Sequence, residues 1–410
     1  MRQDKKRVLC HYFLVLVSIG VAGWEATADD WPQWRGPNRD GISQEVVKAW
    51  SGNQPTVVWR KPIGEGFSAI SVANGRAYTM DTDEVDEFVL CLDAKTGDEI
   101  WRVKSGEFYK EGQGGNGPRS TPTVDGDQLY TISAVEGRLL ALKVEDGSTV
   151  WSVSLKADFG SKRPTWGYSM SPIVDGDRLI TEVGGEKSIA AFDKTDGTVL
   201  WRSSTYKLGY SSPIVVSSGG VKQTVFFTAS GLVSLNPADG TRYWQYDWET
   251  SYNVNAATPV FIPDDQIFIS SGYGTGAATV RIQPSGDKKF IVEELWRNKV
   301  MKNHFATVVA QGGYLYGFDN SILKCIEART GKEVWKQRGY GKGSLMLARD
   351  QLIVLSDKGK LAIGKATPGG FKPEAEDKVL RGRCWTMPVL ANGKLYLRSM
   401  SEVVCLNLSS

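Results

Sequence analysis

Few side chains in this sequence could do chemistry. Of 410 residues only two are histidines, His11 and His304. A zinc site of several histidines is therefore excluded. A Ser-His-Asp triad would have to use His304, and no Gly-x-Ser-x-Gly turn accompanies it. His304 reads instead as a loop residue facing a channel. The five cysteines include no adjacent pair, no Cys-x-x-Cys and no Cys-x-x-Cys-His haem site, so dithiol exchange and haem electron transfer are not encoded. Asp81, Asp83, Glu84, Asp86 and Glu87 cluster in one loop, but EF-hand spacing and its glycine are missing, so the cluster reads as a solvated hairpin tip. GYGTGA at 272–277 is not followed by the helix a dinucleotide site needs, and GQGGNGPRS at 112–120 lacks the Gly-Lys-Ser/Thr ending of a phosphate loop. The second of these reads as a flexible connection.

The candidates that remain are mostly aromatic and basic: Arg119, Trp166, Tyr168, Tyr210, Asn255, His304, Lys342, Arg383 and Trp385. Most stand just ahead of a signature that recurs along the chain, so their placement depends on what the recurrence builds. Each unit begins with Pro-hydrophobic or a weaker copy, and continues through a turn, often Asp-Gly or Asn-Gly. Most units end on tryptophan: STPTVDGDQLYTIS from Ser120, MSPIVDGDRLITEV from Met170 and TMPVLANGKLYLRS from Thr386 are examples. The closing tryptophans are Trp59, Trp101, Trp151, Trp201, Trp244, Trp296 and Trp335, spaced 39 to 52 residues apart. Alternating apolar residues around Asp-Gly and Asn-Gly predict hairpins. Two hairpins per unit give four strands and no helix, the period of a β-propeller blade.

Units start near Phe67, Ser120, Met170, Ser211, Ala257, Phe305, Lys342 and Thr386, which makes eight. The last has room for three strands, while TVVWRKPIG from Thr56 stands alone ahead of the first unit and carries Trp59. The expected fold is therefore all-β: an eight-bladed propeller of four-stranded blades over 56–410, its ring closed by that N-terminal strand, with 29–55 as a lead-in. Closure removes the free sheet edges that would otherwise aggregate. The blade after Trp335 ends in KATPGGFKPEAEDKVL, without tryptophan, and should be the least regular. Cys91, Cys325 and Cys405 share one slot of the repeat with Ala141, Ala191 and Ser234, which marks a small buried site.

Residues 1–28 read as an export signal: Arg2, Lys5, Lys6 and Arg7, then a mostly apolar run, then Ala-Thr-Ala ending at Ala28. Its removal leaves 45 basic and 44 acidic residues, so no net charge directs the chain to nucleic acid or anionic lipid. No membrane span is expected after cleavage. With 41% hydrophobic and 23% charged residues, the chain is neither disordered nor a multi-span membrane protein.

The run LDAKTGDEIW ending at Trp101 and its copies AFDKTDGTVLW, SLNPADGTRYW and CIEARTGKEVW resemble the tryptophan-docking repeat of pyrroloquinoline-quinone (PQQ) proteins, exported bacterial type. The resemblance covers nearly all of the chain after residue 28. It implies that the seven tryptophans pack across onto neighbouring blades. It also brings in the PQQ alcohol dehydrogenases, which hold the quinone under a disulfide of adjacent cysteines and bind Ca²⁺ through acidic and amide side chains. This sequence has no adjacent cysteines. The loops entering the innermost strands contribute Phe67, Arg119, Tyr168, Tyr210, Asn255, His304, Lys342 and Trp385 but no carboxylate. The expectation is a non-enzymatic, monomeric, periplasmic or extracellular scaffold binding a protein or small ligand at the channel mouth, with no cofactor or metal. The alternative is a quinoprotein dehydrogenase of alcohols or sugars with PQQ and calcium.

Overall fold

The computed structural model describes residues 29–52, 54–286 and 288–409, so the signal read over 1–28 lies outside the described residues. The hairpin pattern folds as its turns require. At Asn74-Gly75 and Asn392-Gly393 both residues hold positive φ, the geometry that suits the twist of a two-residue hairpin. Successive hairpins give eight antiparallel four-stranded blades, seven of them built from four consecutive strands. They span 71–107, 123–154, 173–203, 214–247, 260–298, 309–337, 344–378 and, for the eighth, 389–407 together with Thr56–Pro62. The first strands of neighbouring blades meet around the axis. Thr56–Pro62 pairs antiparallel with Glu402–Asn407, so the ring is closed from the amino-terminal side as expected.

The tryptophans explain how blade locks to blade. The indole N–H of Trp101 donates to Val144 O of the next blade at 3.1 Å, Trp151 to Lys194 O at 3.0 Å and Trp201 to Pro237 O at 3.1 Å. Trp59, Trp296 and Trp335 repeat the contact onto Ala94, Ala328 and Thr367. Trp244 departs: it donates within its own blade to Gln223 Oε1. The small slot of the repeat has a steric cause. Cys91 lies directly opposite Trp101 on one side and Tyr78 on the other, and Ala141 between Trp151 and Tyr130. A larger side chain there would separate rings whose centroids are 6.0 and 6.1 Å apart. All four described cysteines are free and buried. The outer strand of the seventh blade, Pro373–Lys378, has no docking tryptophan, yet the blade is not less regular than the others: its antiparallel ladders carry a single register shift, at Ile363/Gly364, as other blades do.

The lead-in is more than a connection. It threads the centre of the ring and is hydrogen-bonded to every blade. Trp31 forms a bridge with Val72 in the first blade, and Pro32 O accepts from Val124 N in the second. The Arg39 guanidinium donates to Ser171 O, Pro172 O and Pro213 O at the entrances to the third and fourth. Trp34 Nε1 reaches Thr258 Oγ1 at the fifth, and Arg35 Nη2 reaches Val308 O at the sixth. Ile42–Ser43 adds a parallel strand to the seventh, and Glu45 accepts from Asn392 N and Gly393 N of the eighth. Burial without an acid beside it lowers the Arg39 pKa to about 9, and main-chain carbonyls together with Gln33 Oε1 and Thr123 Oγ1 take its hydrogen bonds.

Three local expectations need correcting. A one-turn helix, Leu155–Phe159, capped by the Ser154 side chain and ended by Gly160 at φ +66°, interrupts the all-strand pattern between the second and third blades. A short 3₁₀ turn, Ser251–Asn253, does so between the fourth and fifth. The acidic loop is only partly solvated: Asp81 is buried and pairs with Arg102 through both oxygens, and Glu87 is buried against Ser105 and Ala134. The glycine-rich segment 112–120 is tied down, because Glu111 accepts from the amides of Gln113, Gly114 and Gly115.

Candidate functional site

The lead-in blocks the channel axis and leaves a cup on the face opposite its entry. The cup encloses about 360 Å³, within the range of small-ligand sites. Its floor is Trp34, held by its hydrogen bond to Thr258. The loops entering the innermost strands form the wall. They contribute Phe67 from the first blade, Arg119 from the second, Trp166 and Ser169 from the third and Tyr210 from the fourth. His304 and Phe305 follow from the sixth, Lys342 from the seventh and Trp385 from the eighth.

The rings form a nearly continuous arc. Phe67 stacks on Trp385 at 5.6 Å and 23°, and Phe305 lies 4.8 Å from Trp385. His304 lies 5.2 Å from Phe305 and meets Tyr273 edge-on at 4.9 Å. Across the cup, Trp166 meets Tyr210 edge-on at 5.6 Å. Cations lie against these rings. The Arg119 guanidinium is 5.2 Å from the Phe67 ring centre and 4.7 Å from that of Tyr109, and Arg383 is 4.5 Å from Trp385.

Arg119 is oriented by two hydrogen bonds of 2.9 Å to the carbonyls of Gly117 and Gly115. Burial pulls its pKa down. Lys342 Nζ stands 3.5 Å from His304 Nδ1. Burial and the adjacent ammonium push the His304 pKa down to about 4, so the imidazole is neutral at pH 7. No carboxylate lines the cup. Among the described residues, no group of three or more His, Cys, Asp or Glu is placed to hold a metal ion.

Six of the nine residues chosen from sequence line the cup together: Arg119, Trp166, Tyr210, His304, Lys342 and Trp385. Arg383 sits at the rim, on Trp385 and bonded to Gly114 O. Two point elsewhere. Tyr168 is fully buried in the packing between the second and third blades. Asn255 is fully buried, donating to Thr228 O and Trp248 O and accepting from Ser271 Oγ. Sequence reasoning missed Trp34, Gln113 and Tyr273 as lining residues. Tyr273 arrives on the connection between the second and third strands of its blade, a loop that opens on the same face. Such loops could have been read alongside those entering the innermost strands.

Comparison with known proteins agrees with this architecture. The sequence model of the family described as outer membrane protein assembly factor BamB matches residues 85–337. No curated protein matches the sequence significantly. Among known structures, BamB from Moraxella catarrhalis superposes with a TM-score of 0.60 at 13% identity, covering 88% of this chain and 98% of that one. The quinohemoprotein alcohol dehydrogenase ADHIIG from Pseudomonas putida HK5 gives 0.64 at 12% identity, over 92% and 80%. The quinohemoprotein alcohol dehydrogenase from Comamonas testosteroni gives 0.61 at 11%, over 93% and 81%. At these identities the likeness is one of fold.

Proposed function

The chain belongs to the PQQ-like propeller family described by outer membrane protein assembly factor BamB, and from that premise we propose that it is an exported, non-enzymatic binding propeller. Its mouth cup receives a partner protein or a small ligand. One observation carries this reading: an aromatic wall with cations against its rings and no carboxylate in it. Such a wall can stack on a ligand and counter negative charge, and it presents no carboxylate for general acid–base work or for holding a cation. Arg and Trp are also the residue types that most often anchor interfaces. Export rests on the basic, apolar and Ala-Thr-Ala pattern of residues 1–28. No helix among the described residues is long and apolar enough to cross a membrane.

The competing reading, a quinoprotein dehydrogenase of alcohols or sugars, draws on the fold it shares with the two alcohol dehydrogenases above. Calcium requires several oxygen ligands, usually with carboxylates among them. The lining residues do not supply them, and the adjacent cysteine pair is absent. The cup therefore does not fit a calcium-held quinone.

The test is capture from the exported fraction of the source cells by purified protein, comparing wild type with the Arg119→Ala, Trp385→Ala double variant. A partner or ligand retained by wild type and lost by an equally folded variant supports the reading. Equal retention by both contradicts it.

A further inference from the structure

Resting on the mouth-binding reading above, we propose that the cup is a metal-independent site for a compact aromatic carboxylate of one or two rings. Arg119, Lys342 and Arg383 converge on the mouth, and none of them forms an ion pair among the described residues. Arg119 spends two of its five N–H donors on Gly117 O and Gly115 O, Arg383 gives one to Gly114 O, and the Lys342 ammonium has the neutral His304 beside it and the Trp385 ring 6.0 Å away. Elsewhere in the ring Arg102 is matched to Asp81 and Lys324 to Asp319 and Glu333, while the fully buried Arg39 and Arg398 are enclosed by main-chain carbonyls, a shell that Arg119 has only in part and the Lys342 ammonium lacks. Arg383 is exposed at the rim and Arg119 feels Glu111 and Glu87 without an ion pair to either, so the free N–H donors of Arg119 and the half-buried Lys342 ammonium are the groups that an anion entering the cup would meet.

Shape restricts the anion further. The eightfold order of the blades sets Tyr210 of the fourth across the axis from Trp385 of the eighth, and Trp166 of the third across from Lys342 of the seventh. Flat rings thus face one another over the indole floor of Trp34. An aromatic ligand would stack on these faces while its carboxylate meets Arg119 or Lys342. An uncharged sugar would leave the cations unmatched. An aliphatic acid would leave the ring faces without a partner. A volume of about 360 Å³ leaves space for one or two rings.

The experiment is isothermal titration of the full-length protein with 2-naphthoate in buffer containing EDTA. Parallel titrations use 2-naphthalenemethanol and cyclohexanecarboxylate. A hydrogen bond to a charged group corresponds to roughly a tenfold to hundredfold change in affinity. We expect 2-naphthoate to bind at least about tenfold more tightly than either comparison compound. Lys342→Met and, separately, Arg119→Met should each weaken 2-naphthoate by roughly that factor and leave 2-naphthalenemethanol unchanged. Trp385→Leu should weaken both naphthalene compounds. Arg119 also organises the 114–117 loop, so Lys342→Met, at a side chain with no such anchoring role, keeps the test valid if the arginine variant misfolds. Equal affinity for the acid and the alcohol, a requirement for added Ca²⁺, or no saturable binding would overturn the proposal. If 2-naphthoate fails while the mouth variant still loses its captured partner, the ligand class falls and the mouth-binding reading stands.

Discussion

Trp34 donates its indole N–H to Thr258 Oγ1 at 2.9 Å across 224 residues of chain. That bond fixes the floor of the cup to the fifth blade, so the lead-in is part of the site it underlies. Trp34→Ala should join the cup to the space around the lead-in and weaken aromatic ligands without unfolding the ring. Trp34→Phe, which keeps a ring but loses the N–H, should fall between. Titration with 2-naphthoate alongside a thermal melt checks both. Unchanged binding in Trp34→Ala would remove the lead-in from the site.

Arg39 is the strongest attachment of the lead-in, since one guanidinium serves the carbonyls of Ser171, Pro172 and Pro213. Arg39→Met leaves Ser171 O and Pro213 O without this donor, while Pro172 O keeps its bond from Thr123 Oγ1, and should cost roughly 3 kcal/mol in urea unfolding. Arg39→Lys should recover little of it, because a compact ammonium cannot span the positions that a planar fork reaches.

Gly197 and Gly126 separate two costs at one kind of position. Both have positive φ, +78° and +62°, but an added Cβ at Gly197 would lie 2.7 Å from the Trp151 ring, while at Gly126 it meets open space. Gly126→Ala should cost about 1 kcal/mol from backbone strain alone. Gly197→Ala adds overpacking against the docking indole and should cost roughly 2–4 kcal/mol. Equal values from chemical denaturation would mean the tryptophan dock is loose.

Stability should fall as pH rises from about 6.5 to about 8. Burial raises the Glu87 and Glu182 carboxyls to about 8 from the ordinary glutamate value of 4.5. Between those values the folded state holds protons that the unfolded state has released, so each glutamate makes stability decrease with pH up to about 8. His304 acts oppositely. Its pKa is lowered to about 4, so its contribution rises with pH only up to the ordinary histidine value of 6.5. Above 6.5 the glutamates act without that opposition. Denaturation midpoints at pH 6.5 and 8 should differ in wild type and converge in the Glu87→Gln, Glu182→Gln double variant.

Trp59 was legible in the sequence as a stray closing tryptophan, and its strand does complete the eighth blade. Trp59→Ala should therefore cost about 3–5 kcal/mol, as truncation of a buried aromatic does, and match Trp151→Ala.

What could be read in advance followed from strict local rules. Asn-Gly and Asp-Gly turns, the recurrent tryptophan and the small slot beside Cys91 each depend on neighbours a few residues away in the unit. The lead-in could not be read this way, because the bonds by which Arg35 and Arg39 tie it to the blades end on carbonyls more than a hundred residues distant. Tyr168 and Trp166 show the same limit within the site. They are two residues apart in one loop, yet Trp166 faces the cup and Tyr168 packs between blades. Asp81 looked solvated because Arg102, its partner, lies on another strand.

Redox chemistry in the cup is what separates the two readings. Purified protein should be mixed with PQQ and Ca²⁺, offered alcohols and sugars, and followed by reduction of an artificial dye. The account predicts no substrate-dependent reduction above a protein-free control. Turnover that requires PQQ and substrate, and that disappears in the Arg119→Ala, Trp385→Ala variant, would contradict it and make the chain a quinoprotein dehydrogenase.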